Sequence, residues 1–235
     1  MPEIAGQASV VTVTTSTTFQ RARRPDQVAA RRRAILDAAR TLLEGRRVAE
    51  VSLGDVGDRS GLAKSNLLRY FDSREAIMLE ILDEEWRAWL EHLEKTMDAA
   101  GSGRYGVERA VAATIADSLS GRPLLCELIS VMAGVLERNI RIEFARDFKG
   151  RAARNTDRLA ALVAGAVPEI TPAGAQQFAG AVFVVTAGLW PYARPTEVVA
   201  CVSAEMGVPD SESAFQQNLR RGLTAQLIGL VAQEA

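Results

Sequence analysis

The sequence contains little cysteine and almost no histidine. Cys126 and Cys201 are the two cysteines, and one histidine occurs among the 235 residues. This cysteine spacing fits neither a zinc site nor a secreted disulfide framework. Cys126 lies in an apolar helical pattern, which favours an inert buried thiol over a redox sensor. We therefore expect no metal, no cofactor and a reduced, cytoplasmic environment.

Long uninterrupted apolar stretches are also absent. The longest uncharged stretch, residues 170–193, is interrupted by Pro172, Gln176, Gln177 and Pro191. The apolar remainder is shorter than the roughly 20 residues that a membrane-spanning helix needs. The first twenty residues contain no Lys or Arg, so the positive region of a secretory signal is missing. We expect no membrane span and no targeting segment.

Strand patterns are scarce, whereas helical periodicity runs through most of the chain. Only residues 182–185 resemble a strand, and they lie inside a helical pattern. Apolar spacing, capping residues and breakers together predict the following helices: 29–44, 52–60, 64–71, 74–99, 106–119, 123–138, 140–167, 173–190, 195–206 and 213–233. The sequence therefore predicts an all-α protein with about nine or ten helices.

The net charge of −1 conceals an uneven distribution along the chain. Residues 21–78 contain thirteen basic against eight acidic side chains, whereas residues 79–235 contain fifteen basic against twenty acidic ones. Such an asymmetry is typical of a module that binds a polyanion, joined to a second module with another role.

Residues 51–71 have the spacing of a helix-turn-helix motif. A short helix capped by Ser52 precedes a turn at Gly61, where a left-handed conformation is expected, and a second short helix follows. Gly54 and Gly57 each cost up to about 1 kcal/mol relative to alanine inside a helix, which predicts a soft first helix. The apolar residues expected to hold the two helices together are Leu53, Val56, Leu62, Leu67 and Phe71.

Over residues 28–82 the pattern resembles the TetR family of bacterial one-component transcription factors. The matching residues are Ile35, Ala38, Ala39, Leu43, Gly45, Ser52, Asp55, Val56, Gly61, Leu62, Leu67, Tyr70, Phe71, Ser73, Arg74, Glu75 and Ile77. The family commonly has Ser or Thr where Ala63 stands and Tyr where Leu68 stands. These departures predict a weaker helix cap and one phosphate contact fewer.

The outer face of the second short helix carries the side-chain types that contact DNA. Arginine pairs with guanine and asparagine with adenine, while lysine, serine and tyrosine bind mostly backbone oxygens. An arginine-rich arm before the motif can add phosphate or minor-groove contacts, although a solvated tail explains it nearly as well. The predicted DNA-binding residues are Ser52, Lys64, Ser65, Asn66, Arg69, Tyr70, Ser73, Arg74, Arg31 and Arg32.

The resemblance implies three segments. Residues 1–24 form a disordered, basic-ended arm, 25–72 the helix-turn-helix DNA-binding domain, and 73–235 a helical ligand-binding and dimerisation domain joined through a long fourth helix. A pocket between helices needs apolar walls with a few polar groups. The candidate pocket residues are Trp86, Trp89, Glu127, Met132, Leu136, Asn139, Phe144, Phe148, Phe183, Thr186 and Trp190, and ordinary core packing is the alternative for each.

A homodimer is also implied, with the last two long helices of each copy forming a four-helix interface. Small and apolar residues there permit close approach of the helices. The candidate interface residues are Ala179, Gly180, Val184, Ala187, Gly188, Leu223, Leu227 and Leu230.

These observations lead to one functional hypothesis, a repressor that binds an inverted-repeat operator as a dimer and is released by a small apolar or amphipathic effector. An activator role is left open. The alternatives are a ligand-blind architectural DNA-binding protein and, less favoured, a helical enzyme. The enzyme alternative lacks a nucleophile–base pair, a metal cluster and a phosphate-binding loop, so we expect a protein that is not an enzyme.

Overall fold

The chain folds as a series of helices. The computed structural model describes residues 18–97, 100–208 and 211–234, with the side chains of 18–24, 212 and 234 left aside. Within these ranges there are ten α-helices and no strand, which confirms the all-α prediction. The helices are α1 Thr18–Leu43, α2 Leu53–Ser60, α3 Lys64–Leu67, α4 Arg74–Thr96, α5 Gly106–Ser120, α6 Pro123–Met132, α7 Ile142–Ala166, α8 Pro172–Ala193, α9 Glu197–Glu205 and α10 Ser211–Glu234.

Side-chain caps fix four helix starts, and the sequence predicts two of these caps, Ser52 and Ser73. The hydroxyl of Ser52 accepts a hydrogen bond from the Asp55 amide, and that of Ser73 accepts one from the Ala76 amide. Thr171 and Thr196 cap α8 and α9 in the same way. Each cap satisfies a backbone donor that a helix N-terminus otherwise leaves free.

The largest differences from the predicted helix boundaries are at the start of α1 and the end of α6. Helix α1 begins at Thr18 rather than at residue 29 and continues through Pro25. Its first turns carry no apolar periodicity by which a helix could be predicted, and residues 1–17 of the predicted arm lie outside the described residues. Helix α6 ends at Met132, and a 3-10 turn over Leu136–Arg138 replaces its predicted last turns. Gly134 favours a break, and the tighter turn buries Leu136 completely.

Helix α4 is the central element of the fold. Twelve of its residues are buried, and it packs against α1 on one side and against α5, α6 and α7 on the others. Trp89 is fully buried and donates its indole N–H to the hydroxyl of Ser118 at 2.9 Å. Helices α8 and α10 pack against each other, α8 also against α7 and α6, and α10 also against α5. The amino-terminal helices and the rear bundle thus share one continuous core.

Ion pairs fasten α4 to its neighbours. Arg40 of α1 pairs with Glu84 and with Glu85. Deeper in the bundle, the buried Asp83 accepts hydrogen bonds from Arg151 at 3.0 Å and from Asn155 at 3.1 Å. A buried carboxylate keeps its charge only with such partners, so this cluster fixes α7 on α4.

No helix among the described residues is both long and apolar enough to cross a lipid bilayer.

Candidate DNA-binding surface and effector domain

The turn between α2 and α3 is built on two glycines. Gly61 adopts the left-handed conformation, with φ of 68°, as the sequence predicts. One turn earlier, Gly57 is buried and its carbonyl accepts the Leu62 amide at 2.9 Å. A Cβ atom at position 57 would lie 2.7 Å from the Leu62 carbonyl oxygen. Local sequence rules identify Gly57 only as a weak helix former, because the close approach involves a backbone atom across the turn.

The outer face of α3 presents the predicted polar side chains together. Lys64, Ser65, Asn66 and Arg69 are exposed, while Leu67 points inward and is fully buried. The helix is shorter than the predicted 64–71, because regular geometry ends at Leu67 and turns continue to Tyr70. Its first residue follows Ala63, which makes no side-chain cap bond, in agreement with the weaker cap expected there.

A cleft of about 920 Å³ lies between α1 and the turn that follows α3. Arg31 of α1 lines it together with Arg69 and Tyr70, so side chains from two predicted DNA-binding segments face one concavity. The positive charges of Arg31 and Arg69 have no acidic partner among the described lining residues. A phosphate or a base edge is the natural complement of such a cleft.

Two predicted DNA contacts instead hold the motif in place. Arg32 donates to the Tyr70 carbonyl and to the Glu80 carboxylate, and its guanidinium lies 4.1 Å from the Phe71 ring centre. Arg74 donates to the carbonyl oxygens of Val48 and Val51 at 3.0 and 2.9 Å. Both guanidinium groups are therefore engaged within the chain, which gives Arg32 and Arg74 a positioning role. Likewise the hydroxyls of Ser52 and Ser73 serve as helix caps.

The start of α2 is stabilised by a reciprocal pair of hydrogen bonds. Asp55 accepts the Ser52 amide at 2.7 Å, while Ser52 accepts the Asp55 amide at 3.1 Å. These bonds from Ser52, helped by Arg46, hold the pKa of Asp55 below its usual value of 3.8. A carboxyl whose pKa is lowered by folding stabilises the fold above its unfolded pKa, and this stabilisation is lost as the pH falls through the lowered pKa.

We predict that Asp55→Asn lowers the thermal unfolding midpoint at neutral pH, and that the difference from the parent protein shrinks as the pH falls below 3.8 and through the lowered pKa of Asp55. Below that lowered pKa the parent carboxyl loses the charge that favours the cap. Circular dichroism of both proteins at neutral pH and over a series of falling acidic pH values measures the effect. A difference that stays constant over the whole series would contradict the assigned role of the carboxylate.

Most of the predicted pocket walls lie in the packed core. The rings of Trp86 and Phe183 lie 4.0 Å apart between centres and are tilted by 44°, with Trp89 edge-on to Phe183 at 6.1 Å. Trp86 retains a buried indole N–H without an acceptor among the described residues. The remaining buried members are Leu136, Phe148, Thr186 and Trp190; Met132, Phe144 and Glu127 are half-buried, and Asn139 is exposed.

The predicted polar anchors already have partners within the protein. Glu127 accepts the Val48 amide at 3.2 Å and the Trp190 indole N–H at 2.9 Å, so its carboxylate links the 3-10 turn before α2 to α8. The Thr186 hydroxyl donates to the Val182 carbonyl at 2.7 Å. Asn139 is exposed, whereas the aromatic cluster of Trp86, Trp89 and Phe183 is buried. The carboxylate of Glu127 and the hydroxyl of Thr186 are therefore both engaged within the chain, and their role as polar anchors for a ligand stays a prediction.

The interface prediction is corrected in part. Ala179, Leu223, Leu227 and Leu230 are buried inside the chain's own core, since α10 packs on α5 and α8, and they are not available to a second copy. The other candidates remain accessible. Val184 is 73% exposed, Gly188 is exposed, and Gly180 and Ala187 are half-buried.

Cys126 is buried, and its thiol donates to the Leu119 carbonyl at 3.3 Å. Burial raises the pKa of this thiol to about 12, so almost no reactive thiolate forms at neutral pH. The structure thus agrees with an inert packing role. Among the described residues, no group of three or more His, Cys, Asp or Glu side chains is arranged to hold a metal ion.

Arg47 is a further residue that the sequence analysis missed. It precedes the 3-10 turn Val48–Glu50, and its guanidinium donates to the carbonyl oxygens of Arg194 and Pro195 at the end of α8. Nothing in its local sequence indicates this contact, because the partners lie 147 and 148 positions away.

Solved structures similar to this chain come from several bacteria. The TetR family repressor AlkX of Dietzia sp. strain DQ12-45-1b, implicated in biodegradation of n-alkanes, is 18% identical, with a TM-score of 0.47, over 85% of this chain and 96% of its own. The fatty acid degradation regulator FadR of Bacillus halodurans is 12% identical, with a TM-score of 0.49, over 82% of this chain and 94% of its own. The multidrug binding protein EbrR, complexed with imidazole, is 17% identical, with a TM-score of 0.47, over 82% and 94%.

Two family models match the sequence itself. Residues 35–81 match the model of bacterial regulatory proteins of the tetR family, and residues 83–234 match the tetracyclin repressor-like C-terminal domain. No curated protein matches the sequence. The two models together span the helix-turn-helix and the rear bundle, and they describe transcriptional regulators rather than enzymes. The chain therefore belongs to the TetR family of bacterial transcriptional regulators.

Proposed function

We propose that the protein is a homodimeric repressor that binds an inverted-repeat operator and is released by a small apolar or amphipathic effector. The observation that carries the proposal is the exposed polar face of α3 beside the cleft that Arg31 and Arg69 line. In a dimer, two such faces would enter successive major grooves at half-sites about 34–36 Å apart, or a multiple of this distance.

Within the motif we assign base recognition to Asn66 and Arg69. Lys64, Ser65, Tyr70 and Arg31 would contact backbone phosphates, which fixes the register of α3 on the duplex. Arg32 and Arg74 support this surface from behind through their bonds to the backbone. The caps Ser52 and Ser73 place helix N-termini beside it, where amide groups favour phosphate oxygens.

The dimer would form across α8 and α10. On α8, Ala181, Val184, Gly188 and Tyr192 recur at helical spacing and are exposed or half-buried. On α10 the corresponding small, accessible residues are Gly222, Ala225, Gly229 and Ala232. Small side chains let helices of two copies approach closely, as a four-helix interface requires.

An effector would act through the rear bundle. The unpaired indole N–H of Trp86, in the aromatic cluster with Phe183, offers one donor to a polar group of such a molecule. The effector must prefer the conformation with low DNA affinity, because a ligand with equal affinity for both conformations leaves their relative populations unchanged.

Selection of random duplex DNA at about 150 mM salt tests the proposal, because salt at this level suppresses nonspecific phosphate binding. Enrichment of an inverted repeat is the expected result. Failure of the folded dimer to enrich any sequence would overturn sequence-specific operator binding.

We predict that Arg69→Ala reduces affinity for the selected operator by about 5- to 150-fold, the value of one bidentate base contact. Affinity for unrelated DNA should change little. Arg109→Ala on α5 removes the same charge from an exposed position far from α3 in sequence, and it should leave operator affinity unchanged. Fluorescence anisotropy at fixed salt compares the three proteins, and equal losses for the two variants would contradict base recognition by Arg69.

A further inference from the structure

A groove of about 650 Å³ lies between the end of α8, helix α9 and the start of α10. It is separate from the aromatic cluster around Trp86. Its size falls in the range of small-molecule sites, about 300–1,000 Å³. Its walls are mainly apolar, with Tyr192, Pro195, Val199 and Val208 among them.

Two arginines complete the groove. Arg47 and Arg194 line it, and no acidic residue is among the described lining residues. Neither guanidinium makes an ion pair with the part of the chain that the structure describes. Arg47 instead donates to the carbonyl oxygens of Arg194 and Pro195, the latter at 3.2 Å. A carboxylate accepts such bonds more strongly than a carbonyl oxygen, so an anion is the chemical complement of this position.

Arg47 also belongs to the segment that positions α2. It directly precedes Val48, whose amide donates to Glu127 and whose carbonyl accepts from Arg74. Arg74 further donates to the Val51 carbonyl, just before the cap of α2. A ligand that draws Arg47 away from the end of α8 therefore shifts the segment whose hydrogen bonds hold the helix-turn-helix in position.

We propose that this groove binds an amphipathic anion, with its apolar body along α9 and its carboxylate on Arg47 and Arg194. Binding replaces the two carbonyl acceptors of Arg47 and loosens the contact between α8 and the DNA-binding segment. The consequence for operator affinity rests on the proposed function above; the binding site itself does not.

Two neighbouring valines of α9 provide a matched test. Val199 lines the groove, whereas Val198 is 75% exposed and does not line it. Isothermal titration with dodecanoate below its micellar concentration measures binding in the absence of DNA. Val199→Glu places a carboxylate in the groove and should weaken binding at least tenfold, while Val198→Glu should bind as the parent does. Dodecan-1-ol, which lacks the charge, should bind at least tenfold more weakly than dodecanoate.

Arg47→Gln tests the charge directly and should also weaken dodecanoate binding at least tenfold. Arg109→Gln, which removes the same charge from an exposed position on α5, should leave dodecanoate binding unchanged, since Arg109 does not line the groove. Equal binding by the two valine variants, or equal binding of the acid and the alcohol, overturns the site. Sedimentation shows whether Val199→Glu instead dissociates the dimer; dissociation without dodecanoate binding to the parent would identify the groove as an interface and also overturn the proposal.

The regulatory half is tested on the selected operator. Dodecanoate should release the parent protein and Val198→Glu from DNA at concentrations that leave Val199→Glu bound. Binding of dodecanoate without release overturns the coupling through Arg47 but not the site. Failure of the parent to recognise any DNA would refute the proposed function alone, because the titrations need no DNA.

Discussion

Replacing Gly57 by alanine is expected to disrupt the helix-turn-helix and to abolish operator binding. The new Cβ would lie 2.7 Å from the Leu62 carbonyl oxygen and 3.5 Å from Leu67 Cδ1. The first of these atoms belongs to the backbone of the turn, so α3 must move away from α2. Overpacking of this kind typically costs about 1–3 kcal/mol. The displaced α3 no longer presents its polar face in register with α1.

Gly54, in the same short helix, is the matched control. A Cβ atom there meets only the Ser52 hydroxyl at 3.4 Å, which is close to an ordinary contact. Because alanine favours a helix interior over glycine by up to about 1 kcal/mol, Gly54→Ala should leave stability unchanged or raise it slightly. Thermal unfolding and operator titration of the two variants measure both effects. Equal stability and equal operator affinity for the two variants would contradict the close approach at Gly57.

This pair of glycines illustrates what the sequence could predict. Local rules located the caps Ser52 and Ser73, the left-handed Gly61 and the exposed face of α3, because each depends on residues a few positions apart. The same rules assign Gly54 and Gly57 an equal loss of helix stability relative to alanine. Only the packed structure distinguishes them, since the obstacle at Gly57 is a backbone atom beyond the turn.

Contacts between residues that are distant in the sequence could not be predicted for the same reason. Arg32 resembles a free cation in its local sequence, yet its partners are Tyr70 and Glu80. Arg47 meets carbonyl groups at the far end of α8. An arginine-rich pattern indicates a basic surface, but which guanidinium groups remain free for DNA is decided by tertiary partners.

The rear bundle shows a related limit. The sequence assigned Leu223, Leu227 and Leu230 of α10 to an interface between copies, whereas they are buried within the core of one chain. An interface between copies and a core within one copy select the same residue types. The chain uses these leucines to hold α10 on α5 and α8, which leaves the outer face of α8 for a partner.

Val184→Arg is therefore expected to convert the proposed dimer into a folded monomer. Val184 is 73% exposed in the single chain, so the substitution should not disturb its core. In a two-fold symmetric interface each substitution occurs twice, and here two unpaired charges would be buried close together. We expect the dimer to weaken by at least about 3 kcal/mol, or more than a hundredfold.

Operator affinity should fall when the dimer dissociates. A monomer binds each half-site separately, whereas in a dimer the binding of one half-site raises the effective concentration of the protein at the other. Ile142→Arg on α7 is the control, since Ile142 is 65% exposed and belongs to a helix outside the proposed interface. Sedimentation velocity at micromolar concentration should show a monomer for Val184→Arg and a dimer for Ile142→Arg and for the parent. A dimer that survives Val184→Arg would place the interface away from this face of α8, because two arginines cannot be buried there without partners at so small a cost.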